Sequence, residues 1–197
     1  MIKNISKILS LTFLLIAFSV SAQTTMMTSS ENSTINWKGF KPTGEHYGTI
    51  MLKNGSFNVK ENQITGGEFT IDMATIVDLD MPADNEYNAK LVKHLKSEDF
   101  FGVEKHPTAN FKITKIEKKG DKSLIHGDLT IKNKTNPVSF LASVDISNDD
   151  GLTLKSETFK IDRSKWDIKY KSKSFFGDLA DNFIYDDMEI SIEIEAK

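Results

Sequence analysis

The stretch that decides the fold is 138–146, which reads VSFLASVDI. Val138, Phe140, Ala142, Val144 and Ile146 occupy every second position, and most of the residues between them are polar. Successive side chains of a strand point to opposite faces, so this segment has one apolar face and one largely polar face. Such a pattern is typical of an antiparallel sheet with one face in water. The segment therefore predicts a long strand that buries one side.

The same alternation recurs along most of the chain. It covers the segments 35–37, 57–59, 69–73, 111–113, 125–131, 159–161 and 190–194. Turn-forming residues lie between many of them, including Lys60-Glu61-Asn62 and Lys132-Asn133-Lys134, and Lys53-Asn54-Gly55 predicts a further hairpin turn. About eight short strands joined by tight turns indicate an all-β barrel or sandwich, and the alternation fits either one.

One segment departs from the period of two. Tyr87, Leu91 and Leu95 are spaced by four residues, as on one face of a helix, and Asp84 or Asn85 can cap its start. Ser97 can cap a further short turn that carries Phe100 and Phe101. The sequence predicts one short inserted helical segment, at about 84–101, that packs over the sheet or across a barrel mouth.

The N-terminus has the features of an export signal. Two lysines precede an apolar run from Ile8 to Phe18, and Val20-Ser21-Ala22 is the predicted cleavage site, so 1–22 is predicted to be a signal peptide. Polar residues 23–32 are expected to be a flexible lead-in, followed by one domain over 33–197. The predicted mature chain has 23 basic and 28 acidic residues, a net charge of −5, which as a whole gives no electrostatic reason to bind nucleic acid or an anionic membrane surface. With no cysteine for a lipid anchor, we expect a free periplasmic protein.

Catalytic and metal-binding patterns are missing from the sequence. None of the four histidines has the spacing of a metal site, although His and Asp can still assemble in space, so no metal or other cofactor is expected. Asp72 and Asp78 are expected to be solvated strand charges. An enzyme that acts on an envelope lipid through His46, or through His94 with Asp99, stays open as an alternative.

Several blocks resemble YceI-like polyisoprenoid-binding proteins in their Bacteroidetes-type version. The blocks are 37–48 (WKGFKPTGEHYG), 66–73 (GGEFTIDM), 94–101 (HLKSEDFF), 106–111 (HPTANF), 127–131 (GDLTI), 135–140 (TNPVSF) and 159–166 (FKIDRSKW). The resemblance implies a lipocalin-like, eight-stranded antiparallel β-barrel that holds an isoprenoid chain, often with a quinone-type head, and no catalytic residues.

Inward parity and the resemblance together predict the residues that would line the barrel interior and bind an apolar lipid. They are Trp37, Phe69, Ile71, Phe100, Phe101, Phe111, Ile113, Leu129, Ile131, Phe140, Val144 and Phe159. The predicted function is sequestration or carriage of a polyisoprenoid or similar lipid, with transient membrane contact. A fully packed interaction module without a ligand is the other alternative. The sequence leaves open a storage, transport or stress-response role, and a monomer or a homodimer.

Overall fold

A computed structural model describes residues 22–147 and 151–197, and its strands make one antiparallel sheet. The predicted signal peptide lies, apart from residue 22, outside the described residues, as does most of the turn at 148–151. The elements in chain order are β1 (Thr24–Met27), β2 (Thr34–Lys41), β3 (Gly44–Lys60), β4 (Gln63–Asp78), α1 (Glu86–Lys96), β5 (Thr108–Lys119), β6 (Lys122–Ile131), β7 (Lys134–Ser147), β8 (Gly151–Ser156), β9 (Phe159–Asp162), the 3₁₀ helix η1 (Arg163–Trp166) and β10 (Asp187–Ala196).

The sheet closes into a barrel. Its strands follow the order β3-β2-β10-β8-β7-β6-β5-β4, and pairing of β4 with β3 joins the two ends. Strand β9 follows β8 after a two-residue break and pairs with the preceding part of β10, so β8 and β9 together fill one position. The predicted all-β, lipocalin-like, eight-stranded antiparallel barrel is confirmed.

The prediction of a flexible lead-in at 23–32 is wrong, because β1 lies within it. Strand β1 pairs with β3 from Thr24 opposite Val59 to Met27 opposite Ser56, and Thr28 forms a bridge with Ala196. Strand β3 extends well beyond the last residue that β2 reaches, so its backbone groups there need another partner. Strand β1 provides that partner, because it pairs with the part of β3 that extends beyond β2, on the same side of β3. The four residues of β1 show no alternation of apolar and polar side chains.

The predicted hairpin turn at Lys53-Asn54-Gly55 is also wrong. Strand β3 runs through these residues, and the register shifts between Leu52 and Asn54 where they pair with β4. The chain instead turns at Glu61 and Asn62, which both have positive φ, the backbone conformation of a tight hairpin. A bulge in a long strand and a turn between two short strands both accept Asn-Gly, so the local sequence does not separate them.

The inserted helix exists but is shorter than the predicted segment. Helix α1 spans Glu86–Lys96, and the side chain of Asn85 caps it by accepting from the N–H of Tyr87. Leu95 is buried, whereas Tyr87 is 63% exposed and does not share the buried face as predicted. The buried residues of α1 are Asn88 and Leu95. The side chain of Asn88 donates to the backbone oxygens of Asp78 and Met81, which holds this side of the helix against the end of β4. Within the described residues, we find no helix long and apolar enough to cross a membrane.

Candidate ligand-binding cavity

The barrel encloses an apolar cavity of about 100 Å³. Nearly all its wall comes from the inward faces of the strands, and Arg163 is the charged residue in the wall. The lining residues are Ile35, Trp37, Ile50, Leu52, Phe57, Phe69, Ile71, Met73, Phe101, Ala109, Phe111, Ile113, Ile125, Leu129, Ile131, Val138, Phe140, Leu154, Phe159, Ile161, Arg163, Trp166, Ile168, Met188, Ile190, Ile192 and Ile194. An apolar void of this kind stays dry and accepts apolar guests.

Ten of the twelve residues predicted to line the interior do lie in this wall, and their binding of a ligand stays a prediction. The other two lie elsewhere. Phe100 lines a second cavity at the barrel mouth. Val144 is only partly buried and packs against the core without reaching the wall of either cavity. Parity predicts which way a strand residue faces, but it does not show how far along the barrel the cavity extends.

A ladder of five phenylalanine rings follows the inner wall from strand to strand. Phe57, Phe69, Phe111, Phe140 and Phe159 contact one another in that order, with ring centroids 4.7 to 6.4 Å apart. Strand β6 places Gly127 beneath the ring of Phe111, where a Cβ would lie 2.5 Å from Phe111 Cε2. The missing side chain therefore lets the Phe111 ring lie across β6 and reach Phe140.

A wider cavity of about 390 Å³ lies at the mouth of the barrel. It shares Trp37, Phe101, Arg163 and Met188 with the central cavity, so the two spaces meet at these side chains. The rest of its lining mixes apolar and polar residues: Gly39, Phe40, Lys41, Thr43, His46, Leu91, His94, Leu95, Phe100, Tyr170, Lys171, Asp181, Asn182, Phe183, Ile184 and Tyr185. An apolar interior thus leads into a vestibule with charged and hydrogen-bonding groups.

Arg163 fixes the loop that forms one side of the mouth. Its guanidinium donates to the backbone oxygens of Ile168, Tyr170, Ile184 and Tyr185 at 2.7 to 3.1 Å, and it forms an ion pair with Asp186 at 3.2 Å. Burial lowers the pKa of Arg163, and the nearby aspartates act against that shift. Sequence reasoning assigned this residue no role, and a lone arginine beside Trp166 is its only local signal.

The two histidines of the enzyme alternative have different partners. His94 Nε2 lies 3.1 Å from Asp99 Oδ2, as the alternative requires, and the ring of His94 packs edge-on against Phe100 and Tyr170. His46 instead faces Asp80, with Nδ1 3.1 Å from Oδ2. Both histidines line the mouth.

Asp78 is buried, contrary to the prediction of a solvated strand charge. It is 4% exposed, and its Oδ1 has no hydrogen-bond partner. Burial raises the pKa of Asp78 to about 6, and the neighbouring Asp80 adds to the effect. Burial also acts to raise the pKa of Asp80, but hydrogen bonds from Asp78 and His46 outweigh it and hold that pKa below its usual value.

The fold and the cavities define a lipocalin-like barrel with an apolar interior and a mouth lined by both apolar and polar residues. The YceI-like domain matches residues 23–196, and the chain belongs to the YceI-like family. A UPF0312 protein of Photorhabdus laumondii is 32% identical over 152 residues, which cover 75% of this chain and 72% of the relative. Protein YceI of Escherichia coli O157:H7 is 31% identical over 148 residues, with coverage of 75% and 72%.

Two solved structures share the fold. BcnA of Burkholderia cenocepacia aligns with a TM-score of 0.59 at 20% identity, covering 86% of this chain and 99% of BcnA. A polyisoprenoid binding domain from Saccharophagus degradans, implicated in plant cell wall breakdown, aligns with a TM-score of 0.59 at 10% identity, covering 88% and 98%. At these identities the two structures support the barrel architecture.

Proposed function

We propose that this protein binds a polyisoprenoid or similar apolar lipid, of the isoprenoid quinone class, inside its barrel and carries it without catalysing a reaction. The observation that carries the proposal is the apolar cavity of about 100 Å³ joined to a vestibule that mixes apolar side chains with charged and hydrogen-bonding groups. The polyisoprenoid binding domain from Saccharophagus degradans, which shares the fold, supports the same ligand class. A lipid with one apolar and one polar end matches this pair of spaces.

The hydrophobic effect would supply most of the binding free energy. Burial contributes about 0.8 kcal/mol for each methylene-sized group, so a five-carbon isoprene unit contributes about 4 kcal/mol. Three buried units would contribute about 12 kcal/mol, which is enough for micromolar binding after an association cost of about 4 kcal/mol, the low end of the range. The central cavity is narrow, so we expect rings of the phenylalanine ladder to rotate as the tail enters.

The polar groups of the vestibule would hold the head of the lipid. Lys41, His46, His94 and Lys171 all line this space and can donate hydrogen bonds to carbonyl or phosphate oxygens. The head would thus remain in the mouth, because burial of an unpaired polar group in the apolar cavity is unfavourable. This arrangement would set the orientation of the ligand, with its tail inward.

The loop beside the mouth would provide the transient contact with a membrane. Phe175 and Phe176 are 44% and 49% exposed, and the Nζ atoms of Lys169 and Lys173 lie over the rings of Phe175 and Phe183. Exposed aromatic rings among lysines suit the interface of an anionic bilayer. Together with the predicted signal peptide, this surface supports a periplasmic carrier that loads its lipid at a membrane.

Mass spectrometry of an organic extract tests the proposal. The protein is purified without detergent, extracted and compared with a sample of the same protein refolded from denaturant. A stoichiometric polyprenyl compound in the native sample, and saturable uptake of added quinone by the refolded sample, are the expected results. A native protein that is empty, and that also takes up no quinone after refolding, would refute lipid carriage and favour the packed interaction module.

A further inference from the structure

A second group of polar side chains lies at the edge of the vestibule and shares only His46 with its lining. His46 comes from β3, Asp78 is the last residue of β4, and Asp80 follows two residues later. One potential ligand atom from each residue lies within 4.8 Å of the others. They come together because β3 and β4 are adjacent, with Gly48 opposite Asp78 in the register.

The buried member of the group points to a missing partner. Asp78 Oδ2 accepts from the N–H of Met81 at 3.3 Å, but Oδ1 accepts from no group in the described structure. The neighbouring carboxyl group of Asp80 can pair with Asp78 only by sharing a proton with it. A metal ion can take the place of that proton, since buried carboxylates are ordinarily paired or coordinate a metal. His46 is the positively chargeable member of the group, and its Nδ1 already faces Asp80.

We propose that His46, Asp78 and Asp80 form a binding site for a divalent transition-metal ion, of which Zn²⁺ is the best-suited probe. One imidazole nitrogen and two carboxylate oxygens are ligands that Zn²⁺ accepts at about 2.0 to 2.2 Å. Ligands at that distance in tetrahedral geometry lie about 3.3 to 3.6 Å from each other, so the widest pair in the group needs to close by up to about 1.5 Å. The proposal does not depend on the lipid-binding function.

The backbone around the two aspartates is already held in place. Asn88 of α1 donates to the backbone oxygens of Asp78 and Met81 at 3.2 and 2.9 Å. The N–H of Leu79 donates to the oxygen of Tyr47 at 2.9 Å, which ties the segment to β3. Hydrogen bonds that orient the ligands in this way are a general feature of metal sites. Three protein ligands leave at least one position on the ion for water or another oxygen.

Lys41 acts against metal binding and offers a way to test the geometry. Its Nζ lies 3.2 Å from His46 Nε2, so Nε2 accepts a hydrogen bond from the lysine while Nδ1 carries the ring hydrogen and donates it to Asp80. A metal at Nδ1 displaces that hydrogen to Nε2, which then faces the lysine ammonium as a second donor. Binding therefore requires Lys41 to move away, and its removal should strengthen binding.

Isothermal titration of the untagged protein with ZnCl₂ at pH 7 tests the site. The expected result is one ion per chain with micromolar affinity, together with a rise in melting temperature on addition of Zn²⁺. Asp78→Asn and Asp80→Asn should each weaken binding about 10- to 100-fold. Lys41→Gln should strengthen it about 3- to 10-fold, by the removal of one opposing charge near the ion.

His94→Gln is the matched control. His94 and Asp99 are also 3.1 Å apart, but no third potential ligand among the described residues groups with them, so this variant should bind Zn²⁺ as the unmodified protein does. Three results would overturn the proposal: no saturable binding below about 100 μM, equal binding by both Asn variants and the unmodified protein, or loss of binding in His94→Gln. Far-ultraviolet circular dichroism of each variant shows that the barrel is intact.

Discussion

Replacement of Ala109 by leucine should fill the central cavity and block the lipid without damage to the fold. Ala109 lies on β5, is 2% exposed and lines the cavity of about 100 Å³. An empty apolar void costs about 24 cal/mol for each Å³, so this cavity costs about 2 kcal/mol. Leucine adds three methyl-sized groups to that space. We therefore expect the free energy of unfolding, measured in urea, to rise by up to about 2 kcal/mol or to stay unchanged.

The affinity for the lipid should fall in the same Ala109→Leu protein. The same three groups occupy the space of the lipid tail, and we expect quinone uptake by the Ala109→Leu protein to fall at least about tenfold, which corresponds to about 1.4 kcal/mol. Ala142→Leu is the matched control, because Ala142 is fully buried but does not line the cavity. It should lose about 1 to 3 kcal/mol of stability through overpacking and keep its affinity. Unchanged uptake by a folded Ala109→Leu protein would refute the assignment of the cavity as the binding site.

Three further substitutions test particular contacts. Gly127→Ala should destabilise the barrel by about 1 to 3 kcal/mol in urea, because its Cβ would lie 2.6 Å from the oxygen of Lys112 and against the ring of Phe111; an unchanged midpoint would contradict this packing. Arg163→Met should lose about 3 to 5 kcal/mol, since it removes the ion-pair partner of Asp186 and leaves the mouth-loop carbonyls unpaired, and proteolysis should then cut near 170–184 first. Asp78→Asn should be the more stable protein at pH 8 in the presence of a chelator. Burial raises the pKa of Asp78 from 3.8 to about 6, so its ionisation as the pH rises through this range destabilises the folded protein by up to about 3 kcal/mol. The difference between the two proteins should vanish toward pH 4, and a difference independent of pH would contradict the raised pKa.

Strand alternation predicted an all-β barrel or sandwich, because one apolar face per strand is a local property of the chain, and the family resemblance favoured the barrel. Parity and the resemblance together placed Phe69, Phe111 and Phe140 in the cavity wall, and the structure has them there. The start of the helix at Asn85 could be predicted for the same reason, because a helix cap depends only on neighbouring residues. By contrast, β1 carries no alternation, and its place depends on the unpaired edge of β3 far along the chain.

The candidate sites also have one part that the local sequence predicts and another that depends on tertiary contacts. The apolar wall follows from composition and parity, whereas the mouth combines the β2–β3 hairpin, α1 and the 170–185 loop, which meet only when the barrel closes. His46 and Asp80 are 34 positions apart, so no spacing rule could join them, and the pairing of β3 with β4 brings them to 3.1 Å.

By itself, the sequence determined an all-β fold whose strands bury one apolar, aromatic-rich face, and its resemblance to a known family pointed to a closed barrel. Hydrophobic periodicity acts over neighbouring residues and can be read without coordinates. Only the tertiary structure decided where the interior stays open, which side chains meet at the mouth and that Asp78 is buried beside His46. These features depend on contacts between distant segments and on how completely side chains fill the enclosed space, and neither is a property of any local stretch of the chain.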